Sequence, residues 1–167
     1  ASAQAASGFI SYEPSTRQFS LSPEQAAVLG DDESVANVVG GFQALVASYA
    51  GRGRLCEAFR SGDGIDWSDH CSCLFCGTDR FFRPGYRANL LSAWLPALDG
   101  VVERLERGAR VADIGCGHGS STVIMARALP NSEFVGFDFH DASIDEARAQ
   151  AKGLANVSFE TARAQDY

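Results

Sequence analysis

Positive charge is scarce in this chain: 14 lysines and arginines stand against 21 aspartates and glutamates, a formal net charge of −7 over 167 residues. Phosphate backbones and anionic membrane surfaces are held by clustered Lys and Arg, so neither nucleic acid nor membrane is an expected partner. The shortage is sharpest in residues 1–34, where Arg17 alone faces Glu13, Glu24, Asp31, Asp32 and Glu33. Long apolar runs are missing too, and none approaches the roughly 20 residues that a bilayer span needs. Ala1 to Ala6 is small and polar, without the charged and apolar regions of a signal peptide. Repeats and low-complexity tracts are absent. Histidine is limited to His70, His118 and His140, and no spacing among them marks a general base.

Cysteine is present in odd number: Cys56, Cys71, Cys73, Cys76 and Cys116. An odd count, with one member in a glycine-rich turn, predicts reduced thiols and a cytoplasmic setting rather than a disulfide framework. The dense run His70-Cys71-Ser72-Cys73-Leu74-Phe75-Cys76 offers soft ligands for zinc. Structural zinc sites usually draw two pairs from separated segments. No second pair exists, so reduced thiols in a partly buried segment are the expectation and zinc is the alternative.

The most informative stretch is Val111-Ala112-Asp113-Ile114-Gly115-Cys116-Gly117-His118-Gly119, followed by a candidate helix from Ser120 to Leu129. A short apolar run ending in an acid, then alternate glycines, then a helix start, reads as buried strand, tight turn and helix N-terminus. Such a turn brings backbone N–H groups close to a ligand with no Cβ in the way. Glu133 to Asp138 reads as a second strand ending in an acid, roughly 20 residues beyond the turn, where a doubly wound sheet meets the hydroxyls of a ribose. A carboxylate accepts both hydrogen bonds of a vicinal diol. A dinucleotide site would want Gly-x-Gly-x-x-Gly; here the third glycine, Gly119, comes one residue early and Ser120 takes its place. Asp113 would also repel a pyrophosphate, whereas a nucleoside with a cationic end reverses that sign.

At these residues the chain resembles the class I S-adenosylmethionine-dependent methyltransferases. Asp113-x-Gly115-x-Gly117-x-Gly119 is similar to the family's first motif and Asp138 to its second. Val157 to Ala164 resembles its third strand and adenine loop, with Arg163 where the family often has an acid. The resemblance implies S-adenosylmethionine as cofactor, S-adenosylhomocysteine as product, and a small-molecule methyl acceptor. It implies a loop of Gly115, Cys116, Gly117 and Gly119 around the amino-acid moiety, with Asp113 at the cationic end and Asp138 on the ribose. Phe139 would flank the adenine, and Ala164 and Gln165 would meet its edge. Cys116 reads as a small residue tolerated by the turn, and His118 as solvent-facing or ligand-adjacent rather than catalytic. A nicotinamide-dependent oxidoreductase and a non-catalytic S-adenosylmethionine-binding regulator are the alternatives.

The expected fold is α/β: the first three parallel strands of a Rossmann-like class I methyltransferase sheet, preceded by a mostly helical, winged-helix-like lobe. Phe9 to Glu13 and Arg17 to Leu21 form a candidate hairpin, and Ser22 caps a helix opened by Pro23. Ser34 to Ala50 carries a helical stripe of Val35, Val38, Val39, Phe42, Leu45, Val46 and Tyr49, expected in the core or in a homodimer interface of the N-terminal lobe. Gly51-Arg52-Gly53-Arg54 breaks that helix, and Leu55 to Phe59 begins another. Residues 65–94 are rich in aromatics, Trp67, Phe75, Phe81, Phe82, Tyr86 and Trp94, which would cap a cofactor, line an apolar pocket or join two lobes. Helix is expected at Leu90 to Leu98, Val101 to Arg107 and Ala142 to Leu154. The divisions expected are a lobe of residues 1–54, a connecting and capping segment of 55–107, and a cofactor-binding half-domain of 108–167. A seven-stranded family sheet implies a fragment whose catalytic residues lie beyond Tyr167, and no catalytic residue is assigned.

Overall fold

The computed structural model describes residues 1–165. A short helix α1 (Ser2–Ala6) leads into a hairpin of β1 (Ser11–Glu13) and β2 (Gln18–Ser20), paired so that Tyr12 faces Phe19. Both strands are shorter than expected, because the turn extends to Arg17, which sits at φ 57°. Helix α2 (Pro23–Leu29) begins as the sequence requires. The Ser22 hydroxyl accepts from the Gln25 N–H at 3.2 Å, and the Gln25 side chain accepts from the Ser22 N–H at 2.9 Å.

Helix α3 runs Val39–Ala50 and not from Ser34. Side chains consume the intervening backbone: Ser34 Oγ accepts from the Ala36 N–H and Asn37 Oδ1 from the Val39 N–H, local turns that compete with helix. Gly51 ends α3, yet α4 (Arg52–Ser61) follows at once, so the expected break is a corner and the 54/55 division falls inside a helix. Of the predicted stripe, Val35, Phe42, Leu45, Val46 and Tyr49 are exposed in the single chain.

A one-turn helix at Trp67–Asp69 precedes α5 (Ser72–Asn89), an 18-residue helix formed by the aromatic-rich segment. It continues through a widened turn at Leu90–Trp94. α3 and α5 cross with their backbones nearly touching. A Cβ on Gly40 would stand 2.3 Å from the Phe81 nitrogen, and one on Gly77 2.7 Å from the Ala44 nitrogen, so only glycine fits at either place.

Helix α6 (Val101–Arg107) feeds the parallel sheet, β3 (Arg110–Ile114), β4 (Glu133–Asp138) and β5 (Val157–Thr161), in the order β3-β4-β5. Asp113 pairs with Gly136, and Asp138 with Thr161. The crossover helices are α7 (Ser120–Ala128) and α8 (Asp141–Gln150). Phe134 packs with Leu105, Met125, Ala126 and Leu129, and Phe159 with Val123, Ile144, Ala147 and Ala151. Burying each phenylalanine is worth about 2–3 kcal/mol. The buried Ser132 hydroxyl donates to the Leu105 carbonyl and accepts from the Ala109 N–H, pinning the corner between α6 and β3. No described helix is long and apolar enough to cross a membrane.

Candidate functional site

The carboxyl ends of β3 and β4 open into a cleft of about 420 Å³ with the glycine loop on one side and α5 on the other. One carbonyl anchors the start of the loop: Phe137 O accepts from the N–H of Gly115 at 2.8 Å and of Cys116 at 3.0 Å. Gly115, Gly117 and Gly119 all take positive φ, but they serve different ends. Nothing stands within 4 Å of where a Cβ would lie on Gly115 or Gly117, so the chain is bare there. A Cβ on Gly119 would instead meet the Phe159 ring at 2.7 Å and Ala147 at 2.9 Å. Gly119 is therefore a packing residue between α7, α8 and β5, and it does not line the cleft.

The two acids stand where the strands end. Asp113 accepts from the hydroxyls of Thr122 at 2.5 Å and Ser121 at 3.1 Å, in the first turn of α7. Asp138 is 9% exposed and takes the Gly117 N–H on one oxygen at 2.9 Å and the His140 N–H on the other at 3.0 Å. It thereby fixes both the glycine loop and the start of α8. Each oxygen keeps a further lone pair for a ligand. Between the acids, burial and then the charges of Asp113 and Asp138 push the Cys116 thiol up to about 12. It is a neutral, half-buried side chain.

The opposite wall comes from α5 and the turn before it. Phe75, Asp79, Phe82 and Tyr86 follow one another at helical spacing and face the cleft, joined by Trp67. Trp67 and Phe75 rings lie 5.2 Å apart, and Phe75 lies 4.4 Å from His140, whose Nδ1 meets the Ser143 hydroxyl at 2.9 Å. Burial, then the charges of Asp113 and Asp79, raise the Tyr86 phenol above its ordinary value. Asp79 ties wall to loop: it accepts from the Ser120 hydroxyl at 2.5 Å and pairs with Arg83, which also reaches Ser120 at 3.3 Å. His118 Nδ1 lies 4.0 Å from Asp79, with its side chain 10% exposed. His118 thus lines the cleft and is not solvent-facing.

Of the expected residues, Asp113, Gly115, Cys116, Gly117, Asp138 and Phe139 line the cleft together. Ala164 and Gln165 follow β5 as exposed positions outside that lining. Asp79 also lines the cleft, and the one sign of it in the sequence is its place between Phe75 and Phe82 on a helical face. The expectation of reduced thiols throughout is overturned at one pair. Cys71 and Cys73 form a disulfide, since the extended cap at Cys71 and the first turn of α5 bring their Cα atoms to 5.3 Å. Cys56, Cys76 and Cys116 are free, and no metal-ligating cluster occurs among the described residues.

Residues 105–167 match a family described as Methyltransferase domain. Over 51 residues, 30% of this chain and 20% of the relative, the sequence is 39% identical to trans-aconitate 2-methyltransferase of Methylobacterium radiotolerans. An O-methyltransferase family protein of Burkholderia thailandensis superposes over 97% of this chain and 48% of its own, with a TM-score of 0.61 at 19% identity. A structure from Nostoc punctiforme superposes over 98% of this chain and 48% of its own, with a TM-score of 0.57 at 19% identity. The chain thus spans about half the length of these structures and a smaller share of the curated relative. At that identity the superpositions establish the fold alone, a Rossmann-like parallel sheet with a helical lobe before it.

Proposed function

We propose that this chain, whose residues 105–167 match a methyltransferase domain, is a class I methyltransferase that binds S-adenosylmethionine in the cleft and serves methyl transfer to a small-molecule acceptor. The observation that carries this reading is the lining itself. It holds Asp79, Asp113 and Asp138, no lysine or arginine, and a loop left bare at Gly115 and Gly117. A nucleoside with a cationic end meets complementary charge there, and a pyrophosphate meets three carboxylates. When bound, the cofactor supplies the methyl group on its sulfonium.

The residues take the following parts. Asp138 accepts from the ribose diol with the lone pairs that Gly117 and His140 leave free. Asp113, oriented by Ser121 and Thr122, sets negative charge at the cationic end. The neutral Cys116 adds no charge to the loop. Gly115 and Gly117 admit the amino-acid moiety, and Gly119 holds the loop against Phe159. Phe139 flanks the adenine, with Ala164 and Gln165 at its edge. Ala162 N–H donates to the Asp138 carbonyl at 3.0 Å, which ties the start of that last segment to the ribose acid. The protein's contribution to the reaction is orientation and exclusion of water, and no catalytic residue is assigned. The acceptor named for the Methylobacterium relative is not carried over, because the match covers 20% of that protein. The helix, hairpin and helix at the N-terminus are read as a winged-helix-like lobe, and the exposed face of α3 as the homodimer contact.

Calorimetric titration with S-adenosylhomocysteine, and with NADH in parallel, tests the assignment. Saturable binding of the first alone is expected. Binding of NADH alone would place the chain with the oxidoreductases, and failure of both in a folded sample would leave a non-catalytic module.

A further inference from the structure

We infer that the methyl acceptor of this cleft is a planar, aromatic molecule that is uncharged or cationic, and that polyanionic acceptors are rejected; this rests on the methyltransferase reading above. The argument begins with the α5 wall. Phe75, Asp79, Phe82 and Tyr86 repeat at i, i+4, i+7 and i+11, so one face of the helix offers three rings and one carboxylate. Trp67 extends the aromatic surface beyond Phe75. Phe82 and Tyr86 lie nearly parallel, 22° between planes with centroids 6.3 Å apart. Trp67 and Phe82 are 42% and 49% exposed, so ring surface is open to a ligand on both flanks of Asp79.

Charge then selects among flat ligands. Arg80 and Arg87 of α5 are drawn away from the cleft by Asp32 and Glu33, and Arg83 is neutralised by Asp79 on the cleft wall. A carboxylate or phosphate group entering the cleft would lose water and meet Asp113 and Asp138, which are held by hydroxyl and amide donors and not by a cation, a cost that binding does not recover. A neutral ring loses nothing by this arrangement and gains stacking area. An ammonium on the ring gains further, from the carboxylates and from the faces of Trp67, Phe82 and Tyr86. Tyr86 adds a polar handle, a phenolic O–H that donates at neutral pH. Aromatic wall and negative field together make the discrimination, and either alone would not.

Three probes with one ring system decide it: 2-naphthol, 2-naphthylmethylammonium and 2-naphthoate, titrated at neutral pH into the protein with and without saturating S-adenosylhomocysteine. The first two are expected to bind at least about tenfold more tightly than 2-naphthoate. Phe82→Ala, at a half-exposed position, should weaken them by about tenfold while S-adenosylhomocysteine still binds. Equal or tighter binding of 2-naphthoate overturns the inference. So does the failure of all three probes at about 1 mM in a sample that binds S-adenosylhomocysteine. A sample that ranks the probes as expected yet ignores S-adenosylhomocysteine would overturn the cofactor assignment and leave the ligand class standing.

Discussion

At the scale of single residues, Asp138 carries two duties that a substitution cannot separate. It would hold a ribose, and it already holds the amides of Gly117 and His140. Asp138→Ala is expected to weaken S-adenosylhomocysteine binding by about 1–3 kcal/mol, measured by calorimetry, and unchanged affinity would remove the ribose assignment. Asp138→Asn keeps one acceptor but turns an amide N–H toward a backbone donor, so it should fall between. Cys116 gives a prediction in pH. Its thiol is raised from 9.0 to about 12, so between those values the folded protein keeps a proton that the unfolded chain has lost. Fewer protons on the unfolded state means that stability falls as pH rises through this window. Denaturation curves should therefore decline on the alkaline side, and Cys116→Ser should flatten that decline. Near neutral pH, iodoacetamide should label the exposed Cys56 and Cys76 and spare Cys116.

At the scale of elements, α5 is the part whose sequence and structure differ most. Gly77, Pro84 and Gly85 are poor helix formers inside α5, and their surroundings differ. Gly77 is required by the crossing with α3, Pro84 is buried, and Gly85 has no atom within 4 Å of a Cβ position. This yields opposite outcomes for one substitution. Gly77→Ala should destabilise by about 1–3 kcal/mol through backbone overlap, and Gly85→Ala should stabilise by about 0.5–1 kcal/mol through propensity. Thermal unfolding of the two variants checks the pair, and similar shifts would refute the crossing. Strands β4 and β5 and the start of α7 were legible because local pattern and tertiary role agree there: apolar runs between turn signals, then an acid or a glycine. The cap of α2 was legible for the same reason, since Ser22 and Gln25 satisfy each other locally. The late start of α3 was not, because Asn37 and Ser34 divert backbone that periodicity assigns to helix. The glycine-loop side of the cleft lies within one contiguous stretch, Asp113 to Phe139, where local pattern alone brings its residues into view. The facing wall comes from residues 67–86 and depends on how α5 is laid across the sheet, which no spacing reveals.

At the scale of the molecule, apolar surface is unevenly placed. Val46, Tyr49 and Phe59 are 69%, 69% and 83% exposed, all on α3 and α4, whereas the sheet buries its phenylalanines Phe134 and Phe159. The homodimer contact proposed for α3 would cover this face. Sedimentation equilibrium should show a dimer that Val46→Arg or Phe59→Arg dissociates, and a monomer at all concentrations would refute the contact. The Phe137 carbonyl, shared by the Gly115 and Cys116 amides, has a consequence for how the molecule opens. Those two loop hydrogens are bonded to the middle strand of the sheet, so they exchange with deuterium only when the sheet itself comes apart, in one cooperative unit with β3 and β4. The Gly117 hydrogen answers instead to Asp138. Along three consecutive residues, the first two amides would time the opening of the sheet and the third would time the breathing of the cleft.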